Sequence, residues 1–107
     1  MTFVRLTPLA ETDLQRRADY LESQRRGYAR RFLTAFDQTS RRITKSPQSI
    51  ARYDVEHPSL SEMRVIPVDG FSNLLILFRI VDATVEILRI VHGAQDIGRM
   101  TDEILPE

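Results

Sequence analysis

The feature that most restricts the fold is a pair of aliphatic segments, residues 74–81 (LLILFRIV) and 85–91 (VEILRIV), parted only by Asp82, Ala83 and Thr84. Both are rich in branched residues that suit a pleated surface, and so short a gap leaves no room for a helix between them. The stretch 73–96, NLLILFRIVDATVEILRIVHGAQD, therefore predicts an antiparallel hairpin. Gly93 can adopt a backbone conformation closed to other residues, so it should stop the second strand just after His92.

Side chains alternate along a strand, which places Leu74, Ile76, Phe78 and Ile80 on one face and Leu75, Leu77, Arg79 and Val81 on the other. The first set is the expected core. The pairing of the second strand depends on the loop, because a one-residue slip sends every side chain to the opposite face. A two-residue loop sets Arg79 opposite Glu86 on the outer side but lands Arg89 mid-strand in the core. A three-residue loop keeps Arg79 and Arg89 outside with Val85, Ile87 and Val91 and sends Glu86 to the rim of the core. The second is expected, since an unpaired guanidinium deep in a core is costlier than a carboxylate at its edge. Either way the outer face carries several aliphatics beside one or two arginines. Such a patch on a small chain marks a partner surface, unless a C-terminal tail bearing Ile97, Met100, Ile104 and Leu105 folds back over it.

The remaining sequence reads as support for this hairpin. Residues 2–6 form a short first strand. Thr7-Pro8 opens a helix, with Thr7 as the cap and Pro8 at the first helical position. Ala10, Leu14, Ala18 and Leu21 recur on one helical face up to about Ser23, and Gly27 is the natural break. Ala29, Phe32, Leu33, Phe36, Ser40 and Ile43 make a second stripe that Pro47 ends, so two helices form an antiparallel hairpin. Residues 47–61 read as a loop containing a solvated His57, 62–68 as a strand with Pro67 at an edge, and 69–72 as a turn. The tail from Gln95 to Leu105 could add a short helix. The predicted order is β-α-α-β-β-β, an α+β fold in which a largely antiparallel sheet packs against an N-terminal helical hairpin.

A chain of 107 residues fits a single domain spanning 1–107, without staples. It has no cysteine, no leader-like start and no apolar run near the roughly 20 residues that cross a bilayer, so a soluble cytoplasmic protein without membrane contact is expected. Net charge is zero, which gives no field argument for sequence-specific nucleic-acid binding. The charge is nevertheless bipolar: residues 1–53 carry net +6 and residues 54–107 net −6. Arg pairs at 16 and 17, 25 and 26, 30 and 31, and 41 and 42 are read as a solvated helical surface, with local ion pairs to Asp13, Asp19 and Asp37. Tyr20 and Tyr28 are expected to pack at the helix ends.

Catalytic signals are sparse. There is no phosphate-binding glycine loop, no nucleophile elbow and no pair of metal-ligand histidines, so neither metal nor cofactor is expected. His92 is the one candidate acid or base, with Asp96 four residues on and Arg64, Arg79, Arg89 and Arg99 as possible anion binders. The competing reading has His92 merely capping a turn and bonding Asp96.

The segments LTPLAETDL, ARRFLTAF and MRVIPVDGFSNLLILFRIVDATVEILRIVHGAQD, in that order and spacing, resemble the RelE/ParE superfamily of bacterial toxins from type II toxin-antitoxin modules. The resemblance implies a sheet against a helical hairpin and a cognate antitoxin whose C-terminal segment wraps the toxin, here across Leu75, Leu77, Arg79, Arg89, Val91 and Arg64. Within the superfamily, the RelE branch cleaves mRNA on the ribosome with basic residues and often a Tyr. In this chain Leu75, Gln95 and Gly98 stand where such enzymes place Arg, Arg and Tyr. The ParE branch poisons DNA gyrase by binding, and Phe78-Arg79 and Ile90-Val91-His92-Gly93 resemble that branch more closely. The resemblance therefore implies a gyrase-binding toxin with no catalytic set, its target contacts falling to His92, Asp96 and Arg99. A ribonuclease using His92, Arg79 and Arg89, or a non-toxic partner-binding relative, is the alternative.

Overall fold

The computed structural model describes residues 3–50 and 63–93. Strand β1 (Phe3–Leu6) leads into helix α1 (Pro8–Gln24), helix α2 (Tyr28–Lys45) and a single 3-10 turn (Pro47–Ser49). Strands β2 (Arg64–Val68), β3 (Phe71–Val81) and β4 (Thr84–His92) follow. The sheet order is β1-β4-β3-β2, antiparallel throughout except that β1 runs parallel to β4. This is the expected α+β architecture. The expected tail helix and His57 lie outside the described residues.

Thr7 joins the first strand to the first helix. Its hydroxyl accepts from the Ala10 amide at 3.1 Å, capping α1, and donates to the Leu88 carbonyl at 2.8 Å, while its own amide donates to Ile87 at 3.0 Å. One residue thus ends β1, starts α1 and ties both to β4. The helical turn is built differently. Gly27 has φ +91°, a conformation that favours glycine, and the Glu22 carboxylate at the end of α1 accepts from the amides of Gly27 and Ala29 at 3.2 and 3.1 Å. A carboxylate at that helix N-terminus also meets the positive end of the α2 dipole.

Between helices and sheet lies the core of Ala10, Ala18, Phe32, Phe36, Ile43, Val68, Leu74, Ile76, Phe78, Val85, Ile87 and Ile90. Leu33 is exposed, contrary to its place on the expected stripe, and Thr39 is buried in its stead. The reason is polar: the Thr39 hydroxyl donates to the Ala35 carbonyl and accepts from the Asp69 amide, so it fastens α2 to the β2–β3 turn. That turn is only Asp69-Gly70, because β3 already begins at Phe71, whose ring meets Phe32 edge-on at 5.6 Å.

The hairpin corrects the expected register. Val81 pairs with Thr84, so the loop is the two residues Asp82 and Ala83, with Asp82 at φ +56° as the first position of a II′ hairpin demands. Arg79 consequently faces Glu86, and Val85 and Ile87 turn to the core, not outward. Arg89 is kept out of the core because the register shifts once: Phe78 pairs with Ile87 but Leu77 with Arg89, leaving Leu88 as a bulge. The single extra residue reconciles demands that no uniform register could meet. Gly93 ends β4 with φ +83° and its amide donates to Asn73 at 2.8 Å, as its place after the strand implied.

Candidate partner-binding site

The bulge decides which side chains share the face away from the helices: Leu75 opposite Val91, Leu77 opposite Arg89 and Arg79 opposite Glu86. Arg5 of β1 lies beside Glu86 on the same face. Leu77 and Val91 are buried at 0% and 2% exposure, while Leu75 and Arg79 remain half-exposed. Arg64 is elsewhere. It pairs with the core residue Phe78, so it belongs to the helix side, where its guanidinium donates to the Ile50 carbonyl.

Glu86 is the electrostatic centre of that face. Burial works against its charge, but hydrogen bonds from Arg5 and from Arg79 Nε at 2.7 Å outweigh this and hold the carboxyl below the ordinary range. Arg89 is committed too: its Nε and Nη2 donate to the two oxygens of Asp13 on α1 at 2.6 and 2.9 Å. The same carboxylate accepts from the Ile90 amide at 3.0 Å, taking over the edge of β4 where β1 has stopped. Asp13 therefore serves the sheet and not the helical arginines, contrary to expectation. Asp37 does pair with Arg41, at 3.0 Å, while Asp19 accepts from Gln15.

His92, at the exposed end of β4, is opposite Leu74. Arg79 is five residues along β3 from Leu74, the partner of His92, and hence about 17 Å away at the rise of a strand. The three residues of the catalytic alternative, His92, Arg79 and Arg89, are thus not gathered around one point, and both arginines are engaged with carboxylates. Asp96 and Arg99 lie outside the described residues. No group of three or more potential metal ligands occurs among the described residues, and no helix there is long and apolar enough to cross a membrane.

What surrounds His92 was not legible beforehand. Two adjoining clefts, of about 300 and 490 Å³, share Arg17, Tyr20 and His92 as walls. The first continues toward Leu21, Phe71 and Asn73, the second toward Arg16 and the Asp13–Arg89 pair. Tyr20 is 53% exposed, with the Arg17 guanidinium 5.4 Å from its ring centre, so it is a wall of the cleft and not a packed helix end. Tyr28 does pack: its ring meets Phe71 edge-on at 6.4 Å and has Arg25 and Arg31 about its faces. The sequence signal for the cleft was the spacing of Arg16, Arg17 and Tyr20 on one helical face, which by itself is indistinguishable from a solvated surface.

Fold and site together define a small α+β domain with a basic, aromatic cleft between a helix and a strand end. The chain belongs to the ParE toxin family of type II toxin-antitoxin systems (parDE), whose family model matches residues 4–97. Its fold is similar to that of a chain in the chromosomal ParDE toxin-antitoxin system from P. aeruginosa. The two share 19% identity with a TM-score of 0.69, over 87% of this chain and 97% of the other. A search of curated proteins returned no match.

Proposed function

We propose that this chain acts as a toxin that inhibits DNA gyrase by binding it, and that a cognate antitoxin neutralises it by covering the surface built from β3, β4 and α1. Family membership supports the toxin reading. The observation that favours binding over catalysis is the disposition of the sheet arginines: Arg79 is held by Glu86 and Arg89 by Asp13, and His92 stands about 17 Å along the strand from Arg79. A phosphodiester cleaved by general acid-base chemistry needs such groups within hydrogen-bond reach of one reacting centre. A binding surface has no such requirement. Leu75 and Arg79, the half-exposed residues of the sheet's outer face, would meet the antitoxin, whereas Leu77, Arg89 and Val91 are buried and would support that face from within; Arg64 is likewise buried, on the helix side. His92, with Arg16, Arg17 and Tyr20 around it, would form the contact with gyrase, alongside Asp96 and Arg99. No cofactor is required, and the reaction site belongs to the target.

The test is a supercoiling assay with purified gyrase and the purified toxin, run beside a translation extract programmed with mRNA. Inhibited supercoiling with intact ribosome-bound mRNA is the expected result. Unaffected supercoiling at high concentrations of folded protein refutes the gyrase reading. mRNA cleavage that disappears in His92→Ala would replace it with the ribonuclease one.

A further inference from the structure

The two clefts that meet at His92 differ in chemistry. The second, of about 490 Å³, holds the charge: Arg16, Arg17 and Arg89 line it against the single acid Asp13, a net +2 on a chain whose total is zero. Asp13 is engaged with Arg89, so the surplus resides on Arg16 and Arg17, neither of which has an ion pair among the described residues. The first cleft, of about 300 Å³, has one cation, Arg17, and no acid. Tyr20 and Phe71 give it aromatic surface, and Ser72 and Asn73, both exposed at the start of β3, give it hydrogen-bonding groups.

Arg17, Tyr20 and His92 line both clefts and join them into one trough. Tyr20 follows Arg16 by four residues and Arg17 by three, so the three are neighbours on the surface of α1. The Arg17 guanidinium lies 5.4 Å from the Tyr20 ring centre, yet Tyr20 is still 53% exposed, which leaves aromatic surface for a second flat group. Tyr28 differs: Arg25 and Arg31 lie 5.3 and 5.5 Å from its ring centre and Phe71 meets it edge-on. Cations at one end and a free aromatic ring at the other are the two elements of sequence-independent binding to an unpaired nucleic-acid strand, in which phosphates meet the cations and a base stacks on the ring. Ser72 and Asn73 add donors and acceptors that the edge of a base can use and an aliphatic side chain cannot.

We infer that this trough takes one nucleotide of an unpaired DNA strand, its phosphate at Arg16, Arg17 and His92 and its base on Tyr20. Every nucleotide offers a phosphate and a π-face, so the contact needs no particular base sequence. The inference rests on the gyrase reading and deepens it: the strand is one that gyrase holds, and the toxin reaches the enzyme through its DNA.

The probe is fluorescently labelled oligothymidylate, titrated with the purified chain and read by anisotropy, beside the same strand in duplex with oligoadenylate. Two phosphate contacts should give a slope of about −1.4 for log K against log salt, and Arg17→Gln should bring it to about −0.7. The duplex should bind at least about tenfold more weakly, because its bases are not free to stack. Tyr20→Ala should raise the Kd about tenfold, whereas Tyr20→Phe, which keeps the ring, should match the parent. Both Tyr20 variants should melt within about 2 °C of the parent, as surface changes do, so a lost affinity is not lost folding. Oligothymidylate that fails to bind while supercoiling is inhibited overturns the inference and leaves the gyrase reading intact. Binding without inhibition of supercoiling refutes the gyrase reading and leaves the trough as a nucleotide site. Equal affinity for the duplex, or affinity unchanged in Tyr20→Ala, overturns the inference by removing the stacked base. Tighter binding of oligouridylate overturns the assignment to DNA in favour of RNA, and displacement of the strand by oligoglutamate of equal charge overturns it in favour of an acidic polypeptide.

Discussion

Replacing Asp13 by Ala tests how the site is held together. The substitution removes three acceptor contacts at once, to Arg89 Nε, Arg89 Nη2 and the Ile90 amide. The side chains of Arg89 and Asp13 are only 8% and 14% exposed, so water cannot fully take the place of the carboxylate. Deleting one member of a buried ion pair costs about 3–5 kcal/mol. Arg89 makes a further interaction and is not stranded outright, which places the expected loss near the lower limit, about 3 kcal/mol. At about 4–8 °C per kcal/mol for a domain near this size, Tm should fall by about 12–24 °C. Urea denaturation measures the free energy and a thermal scan the shift. The mechanism is checked by the double variant Asp13→Ala/Arg89→Met, because an apolar replacement of both partners leaves no buried charge. It should be more stable than the sum of the single losses implies by at least about 1.5 kcal/mol. A single-variant loss below about 1 kcal/mol, or additivity within about 0.5 kcal/mol, refutes the claim that α1 is locked to β4 through this carboxylate.

Other perturbations probe the same frame. Glu86 has a lowered pKa in the folded protein, so its stabilising contribution is complete above the unfolded carboxyl value of about 4.3 and is lost as pH falls through the folded value. Urea midpoints from pH 7 down to pH 2 should therefore fall less steeply in the acid range for Glu86→Gln than for the parent, and equal slopes would contradict this. Thr7→Ala should cost about 1–2 kcal/mol, since it loses both the α1 cap and the bond to the bulge carbonyl; denaturant titration reads it. Deleting Leu88 should leave unfolding cooperative, because removing the extra residue gives a regular ladder in which Arg89 still faces Leu77 and Val91 still faces Leu75; a broad, non-cooperative transition in that variant would disprove the reading of Leu88 as the bulge. Arg17→Glu should leave Tm within about 2 °C of the parent, as expected of a surface change, while weakening gyrase inhibition severalfold in the supercoiling assay.

Element order was legible because each element carries its own local signal. Thr7-Pro8 marks a helix start, Gly27 and Pro47 bound the second helix, and the alternation of residues 74–81 sets a strand face. The pairing of β4 was not legible, and the reason is specific. Arg79, Glu86 and Arg89 impose incompatible parities on any uniform ladder, and a bulge leaves no composition mark of its own: Leu88 is another aliphatic in an aliphatic run. The role of Asp13 was hidden in the same way. Its partners, Arg89 and the Ile90 amide, are 76 and 77 residues distant, whereas helical arginines stand close by in the sequence. Local spacing favoured the wrong pairs.

The arginines divide by position into two groups with different work. All four on strands are engaged within the fold: Arg5 and Arg79 by Glu86, Arg89 by Asp13, Arg64 by the Ile50 carbonyl. Arg16 and Arg17 on α1 make no ion pair among the described residues, and Arg17 only stacks on Tyr20. The excess positive charge of the first half of the chain is therefore displayed by the helical hairpin, and two acids that could have offset it, Glu86 on β4 and Asp13 on α1, are turned to the sheet. A guanidinium above an exposed tyrosine, next to a strand-end histidine, offers a partner both charge and flat apolar area without burying an uncompensated charge beforehand. Because the sheet arginines are already satisfied, a partner gains little by competing for them. On the proposed reading, a target docking on this cleft would gain from acids meeting Arg16 and Arg17 and from apolar side chains covering Tyr20.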